Sequence, residues 1–233
     1  MCDFLAIMAK KKINIRLFLK EIIDRRKLLQ VDEHGWGLAF KEDGELVVVK
    51  EPLPAWQSSF FLWLEEGKMR IKTDLFILHV RKATQGDISW YNTHPFYTEW
   101  NGKKYVFAHK GDVSEAIKEY NVEKLKPLGE TDSEKFFLYV LEKIINDRSL
   151  YDSIDDIKHF SDEIGDIGKL NYVLTDGETM LIYDGNDEEP LFYSESKKYF
   201  AVASESLRKG RWKEIGIGHM IVIREGKLEK FYK

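Results

Sequence analysis

Six short strand-like segments fill the last third of the chain, and they constrain the fold more than any other feature of the sequence. The Asp176-Gly177 and Glu225-Gly226 pairs are typical of tight turns between such segments. In chain order the segments are LNYVLTD, TMLIYDG, PLFYSES, YFAVASE, HMIVIREG and KLEKFYK. This part of the chain therefore predicts β-sheet structure.

The first two thirds of the chain mix strands with helices. Strand-like runs are CDFLAIM, GWGLAF, ELVVVKE, DLFILHVRKAT and KKYVFAHKG, and Asp43-Gly44 predicts a hairpin turn between the second and the third. Helical patterns occur in NIRLFLKEIIDRRKLLQ, PAWQSSFFLWLEEG, SEAIKEY, SEKFFLYVLEKIINDR and SIDDIKHFSDEI. The order of strands, a helical middle and strands again indicates one α+β domain of layered sheets and helices over residues 1–233.

The composition argues against several classes of protein. Hydrophobic residues make up 43% of the 233 residues, and the formal charge of −4 includes no basic block that would indicate a nucleic-acid partner. A single cysteine excludes an internal disulfide and a cysteine-rich zinc site, and it favours a reducing, cytoplasmic location. We expect no membrane association, because the apolar run in SSFFLWLEEGKM is too short to span a bilayer.

The only cysteine, Cys2, stands directly behind the initiator methionine. One interpretation is a chance position for a small, buried apolar residue. The other is catalytic: removal of Met1 would leave a thiol and a free α-amine on the same residue. The amine, with a pKa of roughly 7.7–8, could then take the proton of a thiol whose pKa is about 8.5. The residue alone does not decide between the two.

Two further segments concentrate reactive side chains. In LHVRKATQG, His79 and Arg81 share one face of a strand, and the arginine fork suits a carboxylate or an ion pair within the fold. In NTHPFYTEWNGKKYVFAHKG, Gly111 could offer a backbone N–H to an oxyanion. A metal site built from His34, His79, His94 and His109 is the alternative, but no His-x-x-x-His spacing supports it, and we expect no metal.

The segment GETDSEKFF combines a helix start with an acidic side chain. Thr131 and Glu134 have the spacing of a capping box, and Asp132 could also hold a substrate ammonium near the start of the helix. No glycine-rich phosphate loop is present, since GIGH at 216–219 lacks the lysine and serine of such loops. We expect no cofactor.

Taken together, these segments resemble the class II glutamine amidotransferases, enzymes of the N-terminal-nucleophile fold, and most of all their stand-alone branch. The matching pieces are, in order, Met1-Cys2, HGWGLAF, HVRKATQG, NTHPF, FAHKG and GETDSE. The resemblance implies a four-layer αββα sandwich with its active site at a sheet edge. It also implies a glutaminase reaction in which a thiolate attacks the side-chain amide, ammonia leaves and water clears the thioester.

The resemblance also implies roles for individual residues. Cys2 would be the nucleophile, with its own freed amine as the general base. Arg81 would hold the substrate α-carboxylate with Thr84 nearby, and Asp132 would hold the α-ammonium. His79, His94 and His109 would be scaffold histidines that shape the pocket, and Trp36 and Gly37 would lie beside the nucleophile.

One position departs from the family. An asparagine normally stands between the histidine and the glycine of the AHKG piece, and here the residue is Lys110. In the family that amide and the glycine N–H form the oxyanion hole, so Lys110 and Gly111 are the expected counterparts. A lysine donates hydrogen bonds and carries a full charge, but its stem is longer and more flexible than that of asparagine.

Three interpretations of function follow. The first is a glutamine amidotransferase or glutaminase that uses Cys2 and delivers ammonia to a separate synthase subunit or releases it. The second is an amidase for another γ-glutamyl or acyl amide, and the third is a non-catalytic relative, for which Lys110 is the reason.

Overall fold

Two antiparallel β-sheets form the centre of the protein. The computed structural model describes residues 2–16, 18–19, 21–22, 34–186, 188–208 and 210–233. One sheet has seven strands in the order β11-β9-β10-β1-β4-β2-β3, and the other has six in the order β13-β12-β8-β7-β6-β5. The strands are β1 Asp3–Asn14, β2 Gly35–Glu42, β3 Glu45–Glu51, β4 Lys72–Arg81, β5 Phe96–Trp100, β6 Lys103–Asp112, β7 Lys169–Thr175, β8 Thr179–Gly185, β9 Phe192–Glu195, β10 Tyr199–Ala203, β11 Lys213–Glu214, β12 His219–Arg224 and β13 Lys227–Tyr232.

Helices cover the outer faces of both sheets. Their bounds are α1 Ser59–Glu66, α2 Asp132–Tyr139 and α3 Ile154–Gly165. The helix α2 continues into a π-helical stretch at Val140–Ile145, and short 3₁₀ turns lie at Ala55–Gln57 and Tyr151–Ser153. Residues 16, 18–19 and 21–22 are also helical, and the rest of the helix predicted there lies outside the described residues. None of the described helices has the length and apolarity needed to cross a lipid bilayer.

The alternation of side chains along each strand produces the layers. In β1, Phe4, Ala6 and Met8 face the other sheet, while Leu5 and Ile7 face the outer helices. The middle layer is apolar from both sides: it takes Ile77 from the first sheet and Val106, Val173, Ile182 and Ile221 from the second. The outer faces pack against α1 on one side and against α2 and α3 on the other. The predicted four-layer αββα sandwich is confirmed.

Two expectations of local structure need correction. The segment SEAIKEY is a turn and not a helix, because Ile117 N bonds to Val113 O while Tyr120 N bonds only three residues back, to Ile117 O, and no second helical turn forms. The strand β5 is an addition to the strands that the sequence patterns predict. The turn between β5 and β6 is Asn101-Gly102, with φ of 50° and 74°. Asn-Gly is a typical hairpin pair, so the sequence does contain a signal for this strand.

One end of the sandwich collects the ends of several strands. Strand β1 begins where β4 ends, with Asp3 opposite Val80. Strand β6 ends where β7 begins, with Asp112 opposite Lys169. Every segment singled out from the sequence reaches this end of the molecule or the loops that follow it.

Candidate active site

Cys2 lies immediately before β1, and the residue is partly buried. Its Sγ atom lies 3.2 Å from both the carbonyl oxygen and the N–H of Lys82, so it donates to the first and accepts from the second. Burial raises the pKa of the Cys2 thiol, and the Lys82 N–H and the charge of Arg81 oppose this rise.

The thiol opens onto a cavity of about 190 Å³. This is smaller than the roughly 300–1,000 Å³ of sites for drug-sized ligands, and it suits a molecule the size of an amino acid. The lining residues are Cys2, Lys82, Thr84, Lys110, Gly111, Asp112, Lys169, Asn186 and Glu189. Cys2, Thr84, Lys110 and Gly111 are the predicted site residues that the cavity brings together.

Gly111 could be no other residue without a change in the backbone. Its φ is +148°, and a Cβ built on it would lie 1.8 Å from the carbonyl oxygen of Lys169. The glycine therefore allows β6 and β7 to approach each other closely at the wall of the cavity.

The guanidinium of Arg81 organises the loop that follows β4. It is 3% exposed and donates hydrogen bonds to the carbonyl oxygens of Gln85 at 2.8 Å, Gly86 at 3.3 Å and Asp87 at 3.2 Å. Burial lowers the pKa of Arg81. In the same loop, Gln85 Nε2 lies 3.5 Å from both oxygens of the Asp112 carboxylate.

Asp132 is the first residue of α2, and its carboxylate already accepts backbone hydrogen bonds. One oxygen accepts from Val113 N at 2.7 Å and the other from Ser133 N at 2.8 Å. Only half of the predicted capping box forms: Thr131 Oγ1 accepts from Glu134 N, while the Glu134 carboxylate turns away to Leu128 N and Gly129 N. The N-terminal half of the box is sufficient to cap the helix.

The three predicted scaffold histidines, His79, His94 and His109, form a buried group next to the start of α2. The rings of His79 and His94 lie 4.3 Å apart between centroids, and His79 Nε2 lies 3.1 Å from His109 O. His109 Nδ1 lies 2.8 Å from Ser133 Oγ. Burial, with the neighbouring histidines, holds the pKa of His94 well below its usual value, so its ring is neutral at neutral pH.

Trp36 and Gly37 lie on β2 and pack against neighbouring segments. The Trp36 indole packs between Phe60 and Phe61 in the outer layer, and its Nε1 donates to Glu51. A Cβ on Gly37 would lie 2.2 Å from the carbonyl oxygen of His94, so the glycine admits the NTHPF segment against β2. Arg81, Asp132, His94, Trp36 and Gly37 are all outside the lining of the cavity.

Lys110 is 3% exposed, and its ammonium lies in an ion-pair group that the sequence did not reveal. Its Nζ atom is 3.2 Å from Glu189 Oε2 and 3.8 Å from Asp3 Oδ1. Asn92 is a second residue that the sequence analysis did not single out. Its side chain donates to Asp87 O and accepts from Glu130 N, and it thereby joins the loop after β4 to the segment before α2. Asn92 could have been found from the sequence, because it is the first residue of the NTHPF piece, whereas nothing in the sequence marks Glu189.

The αββα sandwich of two antiparallel sheets is the architecture of the N-terminal-nucleophile class of folds. Comparison with known proteins agrees. The family model of class-II glutamine amidotransferases matches residues 1–197. The chain belongs to the class II glutamine amidotransferases.

Individual relatives are distant. The uncharacterized protein MJ1515 of Methanocaldococcus jannaschii is 28% identical over 256 residues, which cover 98% of this chain and 70% of that protein. The crystal structure of a predicted glutamine amidotransferase from Pseudomonas aeruginosa aligns with a TM-score of 0.69 at 18% identity, over 97% of this chain and 99% of that one. Glutamine phosphoribosylpyrophosphate amidotransferase from B. subtilis aligns with a TM-score of 0.68 at 17% identity, over 98% of this chain and 48% of that one. At such identities the two structures show the shared fold alone.

Proposed function

We propose that this protein hydrolyses the side-chain amide of glutamine with Cys2 as the nucleophile, once Met1 has been removed. The observation that carries the proposal is the position of the thiol: in a chain of this family, it opens onto an amino-acid-sized cavity walled by Gly111 and Lys110. We also propose that residues 1–233 form one domain, because strands after residue 197 contribute to both sheets.

The chemistry needs only the first residue of the processed chain as nucleophile and base. The free amine of Cys2 takes the thiol proton, and the thiolate attacks the amide carbon of glutamine. The resulting tetrahedral oxyanion collapses, the carbon–nitrogen bond breaks, and ammonia leaves with a proton returned by the amine. Water, deprotonated by the same amine, then attacks the thioester and releases glutamate and the thiol.

The oxyanion would form against the end of β6. Gly111 offers a backbone N–H there, and Lys110 offers an ammonium in place of an uncharged amide. Both line the cavity that Cys2 faces.

The charged ends of the substrate call for one group of each sign. Arg81 would bind the α-carboxylate through guanidinium donors beyond those given to its loop, since a guanidinium has five N–H groups. Asp132 would bind the α-ammonium through lone pairs that its backbone contacts leave. Thr84 lines the cavity directly, whereas His94, Trp36 and Gly37 would act by shaping the strands and loops around it. The ammonia would pass to a separate acceptor protein or be released.

The test compares the same chain with and without a free Cys2 amine. Protein whose mass shows loss of Met1 should release ammonia from glutamine, and protein that retains Met1 or carries an uncleaved N-terminal extension should not. Cys2→Ala should abolish the activity, and alkylation of the thiol should do the same to the wild type. Glutaminase activity that survives Cys2→Ala would refute the assignment.

One observation favours a different outcome. The Lys110 ammonium is already paired with Glu189 and Asp3, and a non-catalytic relative could retain such a pair for stability alone. A processed protein that binds glutamine but releases no ammonia would support that function, and turnover only on other γ-glutamyl amides would support an amidase.

A further inference from the structure

Glu189 is the nearer of the two carboxylates that meet the Lys110 ammonium. The atoms Lys110 Nζ and Glu189 Oε2 are 3.2 Å apart, and both side chains line the cavity that contains Cys2. The Lys110 side chain is 4% exposed and that of Glu189 is 20% exposed. In such surroundings the pair is only weakly screened by water, so Glu189 can determine where the ammonium lies.

The loop that carries Glu189 is held on both sides. Asn171, directly opposite Lys110 in the β6–β7 pairing, donates to the carbonyl oxygen of Glu189 at 2.6 Å and accepts from Gly185 N at 2.9 Å. Asp184 accepts from Leu191 N at 3.1 Å at the other end of the loop. The backbone of Glu189 is therefore fixed relative to β6, the strand that carries Lys110.

The second carboxylate connects the same ammonium to the nucleophile. Asp3 follows Cys2 in the chain, and its Oδ1 lies 3.8 Å from Lys110 Nζ. The ammonium thus lies between the strand that presents the thiol and the loop that presents Glu189. A lysine stem is flexible, and two anions on different elements of the fold restrict the positions that its head can take.

We infer that Glu189 is a positioning residue: it holds the Lys110 ammonium at the cavity wall, where the ammonium stabilises the oxyanion formed on Cys2. The inference rests on the proposed glutaminase function and adds a residue to it. Glu189 itself touches neither the substrate nor the reacting atoms.

The test is a double-mutant cycle with Glu189→Gln and Lys110→Asn in the processed protein, measured as ammonia release from glutamine. Glu189→Gln should lower kcat by at least about tenfold, a part of the roughly 10²–10³ that one lost oxyanion donor costs, with KM changed less than about threefold. Glu189→Asp, which keeps the charge, should recover part of the loss. The control is Glu188→Gln, the same change at the adjacent, more exposed carboxylate that pairs with Lys169; its kcat should stay within about twofold of the wild type.

The cycle separates positioning from a structural role. In the Lys110→Asn background there is no ammonium to place, so adding Glu189→Gln should leave kcat within about twofold. The same loss in both backgrounds, or a folded Glu189→Gln variant with unchanged kcat, would overturn the inference while the glutaminase proposal stands. A wild type without ammonia release dependent on Cys2 would overturn both. Circular dichroism and urea unfolding of each variant identify any that fail to fold, and for those the Glu189→Asp comparison decides.

Discussion

The buried carboxylate of Asp184 should make the protein less stable at neutral pH than it would be with an asparagine there. Asp184 is fully buried on β8 and accepts hydrogen bonds from Leu191 N and Gly216 N on one oxygen. Burial raises its pKa from the ordinary 3.8 to about 6, despite these backbone donors. Each unit of such a shift is worth about 1.4 kcal/mol, so ionisation of Asp184 costs the folded state about 3 kcal/mol at pH 7.

The sign follows from the protons bound in each state. Between about pH 4 and pH 6 the folded state keeps the Asp184 proton while the unfolded state has lost it, so the free energy of unfolding falls as the pH rises. An asparagine at this position would be uncharged at every pH, and its oxygen can accept the same two backbone hydrogen bonds. The free energy of unfolding of Asp184→Asn, taken relative to that of the wild type, should therefore rise by about 2 kcal/mol from pH 4 to pH 7.

Urea unfolding followed by circular dichroism at pH 4, 5.5 and 7 measures this difference. The control is Asp43→Asn, the same chemical change in an exposed hairpin turn with φ of 48°, which asparagine adopts readily. Its effect should stay within about 0.5 kcal/mol at each pH. A stability difference for Asp184→Asn that is the same at pH 4 and pH 7 would refute the titration of this carboxylate as the cause.

Three further changes test other parts of the site. Gly111→Ala should remove most ammonia release, because its Cβ would lie 1.8 Å from Lys169 O at a φ of +148°; a kcat near that of the wild type would show that β6 and β7 can separate there. The wild type should lose unfolding free energy as the pH falls from 7 to 5, because its folded state resists protonation of His94 while the unfolded chain accepts a proton near pH 6.5. In His94→Phe this loss should be smaller. Equal losses in both proteins, measured by urea unfolding, would contradict this. Trp36→Phe should cost about 1–2 kcal/mol of unfolding free energy through the lost hydrogen bond to Glu51, and no measurable cost would show that the bond is replaced by water.

The fold was predictable because its signals are local and repeated. Short continuous apolar runs in β1 and β8, and turn pairs such as Asp43-Gly44 and Asp176-Gly177, each indicate a strand or a hairpin without reference to the rest of the chain. The helix predicted at 114–120 is wrong because seven residues make about two helical turns, too few to offset the cost of starting a helix even though Ala116 and Ile117 pack in the core. Strand β5 is harder to predict because it has only five residues, and its pairing with β6 supplies the support that so short a strand needs.

The site was predictable only where one residue type is tied to one piece of backbone. Gly111 belongs to the FAHKG piece, and its conformation, which excludes a side chain, explains why a glycine occupies that position. By contrast, the partners of Arg81 are backbone carbonyls in its own loop, and such contacts leave no mark on residue types. Glu189 lies far from Lys110 along the chain, and no motif spans the two. The pairing of β6 with β7 and of β7 with β8 brings the loop after β8 to Lys110.

The ion pairs around Lys110 explain how a charged residue can occupy a position where an uncharged amide is usual. A buried amide needs hydrogen-bond partners but no counter-ion, whereas a buried ammonium is costly unless anions lie beside it. Asp3, on β1, and Glu189, in the loop after β8, supply those anions, and Asp3 adjoins Cys2. If Lys110 takes part in catalysis, Asp3, Lys110 and Glu189 must therefore act as one unit, and a change at any one of them has to be judged with the other two in place.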